Sequence, residues 1–248
     1  MRFDENMDME LKKIAGSNYG FSAQKIESLT GASEYTLVTV VVDVSGSVCS
    51  YGQEIEDAVK TVVKACQKDK RMDNLMIRVV YFNTHLTEIH GFQLLSNCND
   101  NLYDGTVQPG GGTALYDATY NAVKAMTDYG RDLTEQDYAV NSAVFVITDG
   151  ADNSSSVSMK MVAGAITEAK TDEAVESIMP VLIGVDVDQG GTNSYLEAYC
   201  NDGGFQQYVA IANANANELA KLANFISKSI SSQSQALGTG GPSISITF

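Results

Sequence analysis

No run of eighteen apolar residues occurs in the sequence, so no segment is long enough to cross a bilayer as a helix. Basic residues are scarce: 16 Lys and Arg face 31 Asp and Glu, for a formal net charge of −15. Binding phosphates needs clustered cations, which excludes nucleic acid and anionic membrane surfaces as main partners. The densest basic stretch, 68–71, is broken by Asp69 and reads as a helix end. Four cysteines (Cys49, Cys66, Cys98 and Cys200) lie far apart without a C-x-x-C pair, which excludes a zinc knot and a disulfide framework. The opening Met-Arg-Phe-Asp-Glu-Asn-Met-Asp has no apolar core of the kind a signal peptide needs. Together with the thiols, this makes the cytoplasm the expected location, where the sequon at Asn153 has no use. The glycine run 110–112 is not followed by G-K-[ST], so a phosphate-cradling P-loop is not expected.

What is present suffices for one large α/β domain: 248 residues, 44% of them hydrophobic, can build a substantial core. The stretch 38–48 reads Val-Thr-Val-Val-Val-Asp-Val-Ser-Gly-Ser-Val. Such a short, continuous β-branched run is how a central strand of a parallel sheet looks when both its faces are covered. The strand is predicted over 36–43. Others are predicted over 75–82, 142–148, 177–185 (interrupted by Pro180) and 205–211. Ile55, Ala58, Val59, Val62, Val63 and Cys66 recur at helical spacing, as do Leu219, Leu222, Ala223, Ile226 and Ile230. Helices are predicted over 54–68, 114–129 (closed by Gly130), 158–171, 193–200 and 218–230. The stretch 87–94 reads as an edge strand, and its 83–85 connection is too short for a parallel crossover, so that pair is antiparallel. The alternation predicts an α/β fold: a doubly wound, mostly parallel sheet with one antiparallel edge strand. Residues 1–34 read as a polar extension with a helical stretch near 23–29, residues 35–232 as the domain, and residues 233–248 as a flexible Ser/Gly-rich tail.

Three segments carry chemistry. After the central strand come a carboxylate, two hydroxyls and a glycine (Asp43, Ser45, Ser47 and Gly46), hard oxygens at alternate positions suited to a small divalent cation. Pro109-Gly-Gly-Gly-Thr delivers Thr113 to the start of a helix. Ala143-Val-Phe-Val-Ile-Thr-Asp-Gly, a second buried-strand run, ends in Asp149 and Gly150. Loops at the carboxyl ends of the strands of an open α/β sheet share one crevice, so these residues can converge. D-x-S-x-S, a threonine after Gly-Gly, and the aspartate of T-D-G resemble, in order and context, the metal-ion-dependent adhesion site of the von Willebrand factor A family. The resemblance spans roughly residues 35–232. The segment Phe225-Ile-Ser-Lys-Ser-Ile-Ser-Ser-Gln-Ser also resembles the close of small bacterial von Willebrand A proteins associated with tellurite resistance and stress.

The resemblance implies that Ser45, Ser47 and Thr113 ligate a cation, with Asp43 and Asp149 acting directly or through water. Mg²⁺ is the expected ion, with Mn²⁺ or Ca²⁺ as substitutes. With only two carboxylates the ion keeps positive character, and a partner protein presenting Asp or Glu can complete its coordination. The reading is therefore a binding module of a bacterial or phage stress or assembly system, not an enzyme, with no catalytic residues. The rival is a metal-assisted phosphoester hydrolase. It lacks a base: the two histidines, His85 and His90, fall near the antiparallel pair, and Ser45 follows Asp43 where a phosphotransfer site would want D-x-D. Asp152 and Asn153 read as rim or solvated loop residues, and Asp186 and Asp188 as a polar turn, with a second cation site as the alternative.

Overall fold

The strand over Glu34–Asp43 is buried at nine of its ten positions, because both of its faces are covered. Leu37 and Val41 point into one core layer, and Val38, Val40 and Val42 into the other. The computed structural model describes residues 8–14, 17, 19–29, 31–68, 70–172, 174–187 and 191–239. In chain order the strands are β1 (Met9–Lys13), β2 (Gly20–Gln24), β3 (Glu34–Asp43), β4 (Leu75–Phe82), β5 (Leu86–Leu94), β6 (Ala139–Thr148), β7 (Ser177–Val185) and β8 (Gln207–Ile211). The helices are α1 (Gly52–Cys66), α2 (Leu115–Thr134), α3 (Met159–Thr171), α4 (Thr192–Gly203) and α5 (Ala216–Thr239).

The sheet order is β1-β2-β5-β4-β3-β6-β7-β8. Strands β4, β3, β6, β7 and β8 are parallel, and β5 is antiparallel to β4. The doubly wound, mostly parallel sheet predicted from the sequence is thus the observed one. One core layer packs under α2, α3 and α4, through residues such as Leu115, Val123, Ile166 and Leu196. The other packs under α1 and α5, through Ile55, Val59, Val62, Leu222 and Ile226. Each such aliphatic side chain contributes about 1.5–3 kcal/mol when fully buried. Because β3 neighbours β4 on one side and β6 on the other, the winding reverses beside β3, and the crevice of an open α/β sheet opens there.

Three expectations need correction. Residues 20–24 are a strand, not part of a helical stretch near 23–29. Phe21 and Ala23 are buried, β2 pairs with β1 over five residues, and only a short 3-10 turn over Ile26–Ser28 follows. Gly130 does not close α2, which continues to Thr134. A Cβ at Gly130 would sit 2.6 Å from Val175 Cγ1, so the glycine serves the close approach of the segment before β7. The polar stretch after 232 is not a loose tail where it is described. α5 continues to Thr239, with Gln233 and Ser234 buried. Asn141 Nδ2 donates to the Gln233 carbonyl at 3.2 Å and Arg71 Nη1 to that of Ser234 at 2.6 Å. The rest of the expected tail, 240–248, lies outside the described residues.

The expected antiparallel edge strand, β5, is met on its outer side by the β1–β2 hairpin. Backbone pairing there amounts to a single bridge, Ala23 to Phe92. Side chains hold the joint instead. Glu88 Oε1 accepts from Ser22 N at 2.9 Å and from its hydroxyl at 2.5 Å, while Glu88 Oε2 accepts from Arg78 Nε at 2.6 Å. Arg78 is fully buried, lies over the rings of Phe21 and Phe92, and donates through Nη2 to Asn121 at 2.9 Å. Gly91 permits the approach, since a Cβ there would meet the Ser22 carbonyl oxygen at 2.0 Å. Gly91→Ala is expected to cost about 1–3 kcal/mol by overpacking. Hydrogen exchange should quicken in residues 19–24 while α1 and α5 keep their protection; uniform loosening would refute a local dock.

Candidate metal centre

Register brings the two strand ends together: Val42 is paired with Ile147, which sets Asp43 beside Thr148 and Asp149 just beyond. Asp43 is 1% exposed. Its Oδ1 accepts from Ser45 N at 2.8 Å, and its Oδ2 from the Thr148 hydroxyl at 2.6 Å. The Ser45 and Ser47 hydroxyls are 3.0 Å apart, and Ser47 Oγ donates to Asp149 Oδ1 at 2.8 Å. The Tyr51 hydroxyl takes the other oxygen of Asp149 at 2.5 Å. Ser45, Ser47 and Asp149 therefore form a continuous chain of oxygens, which Asp43 joins through the Ser45 backbone N–H. Gly46 does not supply a positive-φ turn. It opens a 3-10 turn over Gly46–Ser50, and a Cβ there would make only an ordinary 3.5 Å contact.

Thr113 reaches the same place from the glycine loop. Gly111 has φ 77°, and a Cβ on Gly112 would lie 2.2 Å from Ser154 Oγ, so only glycine fits between this loop and the one after β6. Asn153 Oδ1 accepts from Thr113 N at 2.8 Å, and Asn153 N donates to the Thr113 carbonyl at 2.9 Å. Thr113 is 4% exposed, and its Oγ1 sits 3.7 Å from where a Cβ on Gly150 would be. Among the described residues that hydroxyl makes no hydrogen bond. The oxygen is not among the fully buried unpaired atoms, so it still meets solvent and is open to a ligand.

Burial pushes the Asp43 carboxyl up to about 6, and the charge of Asp149 adds to this, against the bonds from Thr148 and Ser45. A cation among these groups would act in the opposite direction. Among the described residues, no cluster of three or more His, Cys, Asp or Glu is placed to hold a metal. The donors gathered here are instead three hydroxyls and two carboxylates, all hard oxygens. That set suits an ion that keeps waters and takes few carboxylates.

Supporting residues went unread in the sequence. Thr148 passed as a strand end and Tyr51 was not singled out, although Thr148 bonds Asp43 and Tyr51 bonds Asp149. Asn153 is exposed, as a solvated loop residue would be, and also clamps Thr113. Asp152 Oδ1 accepts from Tyr116 N at 3.2 Å and so fixes the start of α2. Asp117 accepts from Ser156 N, Val157 N and the Tyr19 hydroxyl, tying the loop after β6 and the N-terminal hairpin to that same helix start. Asp188 lies outside the described residues. A cavity of about 510 Å³, lined by Glu10, Lys12, Glu27, Asp132 and Glu135, lies at the far end of α2, away from these loops.

The histidines also need a correction. The 83–85 turn is not remote: Asn83 O accepts from Ala114 N and Thr84 Oγ1 from Gly112 N, each at 2.8 Å, so it props the Thr113 loop. His90 is held in β5, with Nε2 2.8 Å from the Tyr103 hydroxyl and Nδ1 3.0 Å from the Gly91 carbonyl. Burial pushes its imidazole down to about 4, partly opposed by that carbonyl. The unfolded chain, with an ordinary value near 6.5, binds the proton more readily. The stability due to neutral His90 is therefore complete above about pH 6.5 and is lost as pH falls toward 4. Asp43 acts in the opposite sense over an overlapping window. Unfolding of wild type and His90→Gln at pH 7 and pH 4 separates the two, and wild type should lose about 1–3 kcal/mol more than the variant.

The fold and the sequence agree on the family. The profile of the von Willebrand factor type A domain matches residues 38–225, and the chain belongs to that family. The PilB minor pilin of Streptococcus sanguinis superposes with a TM-score of 0.59 at 17% identity, over 86% of this chain and 64% of that one. A von Willebrand factor type A structure from Catenulispora acidiphila gives 0.57 at 14%, over 91% and 52%. Proximal thread matrix protein 1 of the mussel byssus, in a structure with a zinc-occupied MIDAS motif, gives 0.54 at 17%, over 79% and 48%. The chain thus spans about half to two thirds of the length of these proteins, and at such identities the likeness establishes the fold. No curated protein matches the chain. No helix among the described residues is long and apolar enough to cross a membrane.

Proposed function

We propose that the chain is a metal-ion-dependent protein-binding module in which Asp43, Ser45, Ser47, Thr113 and Asp149 hold a divalent cation, Mg²⁺ in the first place. The observation that carries this reading is the Thr113 hydroxyl, on a side chain 4% exposed and without a hydrogen-bond partner among the described residues, beside Asp43, Ser45, Ser47 and Asp149, which hydrogen bonds tie to one another. Ser45, Ser47 and Thr113 would offer neutral oxygens, and Asp43 and Asp149 the charge. A cation bound there would supply a positive, water-bearing position that an Asp or Glu of a partner protein completes. Ser47 is exposed and Asp149 half-buried, which leaves the site approachable from solvent. The zinc-occupied motif in the mussel protein supports the same use of this fold.

The setting we propose is cytoplasmic, in a bacterial or phage stress or assembly system. Cys49, Cys98 and Cys200 are unbridged thiols, which suits a reducing compartment. The 225–234 segment, with its likeness to the tellurite-associated proteins, supports the system. The module does its work by binding: both ring nitrogens of His90 are engaged inside β5, and although the exposed His85 stands on a crevice loop, hydrolysis of phosphoesters should stay at background with any metal.

Thr113→Ala and Thr113→Ser test the site. The alanine variant keeps every charge, yet should bind Mg²⁺ or Mn²⁺ about 10-fold to 100-fold more weakly by calorimetry. The serine variant should restore most of the affinity. Equal affinity in wild type and Thr113→Ala would remove Thr113 from the site and the reading with it.

A further inference from the structure

The segments that close over this crevice carry charge of one sign. Segments 44–51, 83–85, 105–114, 149–158 and 186–187, with Asp43 at the end of β3, hold four aspartates and neither Lys nor Arg. His85 is their one nitrogen base. The nearest cations are engaged or set back: Lys60 on α1 is held by Glu56 and Asp104, and Lys160 stands in the first turn of α3. Asp186 follows β7 directly, is exposed, and has left-handed backbone with φ 57°. A non-glycine residue adopts that conformation at a cost, which Asp and Asn bear best. Its charge is close enough to raise the Tyr51 phenol, whose hydroxyl holds Asp149. Asp152 stands on the loop after β6, half-buried. The Thr113 side chain, 4% exposed and with no hydrogen-bond partner for its hydroxyl among the described residues, separately marks the crevice as a place for a ligand.

A divalent cation offsets only two of the four formal negative charges. A carboxylate that approaches it must therefore pass an acidic rim that no Lys or Arg of these segments relieves. Like charges brought together this way oppose binding, whereas a partner of mixed charge turns the same rim into an attraction. We infer that the partner segment carries its metal-seeking Asp or Glu between Lys or Arg residues, the acid entering the crevice while the flanking cations meet Asp152 and Asp186. This inference rests on the metal-binding reading above.

Four labelled peptides test it by fluorescence anisotropy, with Mg²⁺ and with chelator: a glutamate flanked by lysines, the same glutamate flanked by serines, the same flanked by glutamates, and a lysine-flanked glutamine. In Mg²⁺ the lysine-flanked glutamate should bind about 10-fold more tightly than the serine-flanked one, and added salt should shrink the difference. The glutamate-flanked peptide should bind most weakly, and the glutamine peptide should be insensitive to chelator. Asp186→Asn, which keeps the left-handed backbone, should cut the lysine advantage about 3-fold without altering Mg²⁺ dependence. Chelator-sensitive binding with no preference for lysine flanks overturns this inference and leaves the metal site standing. Absence of chelator-sensitive binding by every peptide, with Mg²⁺ affinity unchanged in Thr113→Ala, overturns both.

Discussion

Asp43→Asn is expected to lower divalent-cation affinity by about 100-fold while changing the stability of the metal-free protein by less than about 1 kcal/mol. The two halves have separate causes. Asparagine keeps an oxygen for Ser45 N, and the Thr148 hydroxyl can turn to accept from the new amide, so the buried polar groups stay paired. The carboxylate it replaces is 1% exposed and already pushed up to about 6 by that burial, so removing its charge relieves the empty site. With a cation present, the balance reverses, because one of only two carboxylates is gone. Thermal unfolding measured with and without Mg²⁺ reads both effects. Wild type should gain stability with saturating metal by mass action, and the variant should gain almost none. A variant that keeps the metal-dependent gain would show that Asp43 is not part of the site.

The second large effect lies at the other side of the sheet. Glu88→Gln should destabilise the protein by about 3–5 kcal/mol, since it strands a buried cation. Arg78 is 1% exposed and has one carboxylate within reach, at 2.6 Å, while its Nη1 has no partner. Burial holds the guanidinium below its usual range, with Glu88 opposing the shift. Replacing both residues, by Arg78→Met with Glu88→Leu, removes the charges together and should cost clearly less than the single change. Urea midpoints of the three variants measure this. Equal losses for single and double variants would mean that the charges contribute nothing beyond their packing.

Strands β3, β4, β6 and β7 were legible because buried parallel strands are written as short continuous apolar runs, and β5 because its connection to β4 is too short for a parallel crossover. The five proposed site residues could be picked out for a related reason: each stands just past a strand end or just before a helix, where polarity changes abruptly. What escaped were features set by contacts between distant segments. Residues 20–24 are too few and too mixed to declare a strand until Arg78, Glu88 and Gly91 are seen on the surface they meet. Gly130 reads as a stop only while Val175, the neighbour that demands it, is unknown. Gln233 and Ser234 look like linker because polar residues are buried only where partners such as Asn141 and Arg71 await them.

The N-terminal hairpin has a consequence for the order in which the molecule assembles. Its anchors are remote in sequence: Tyr19 to Asp117, Ser22 to Glu88, Gln24 to Tyr129, and Lys12 to Asp132. Loop closure must come before contacts of that separation repay it. The hairpin leaves the ribosome before any of these partners exists, so it must wait until α2 has been made and laid on the sheet. During that interval the outer edge of β5 and the Phe92 ring are uncovered. A hairpin made before its partners therefore docks only after α2 is in place, and it arrives as a seal over an otherwise open strand edge.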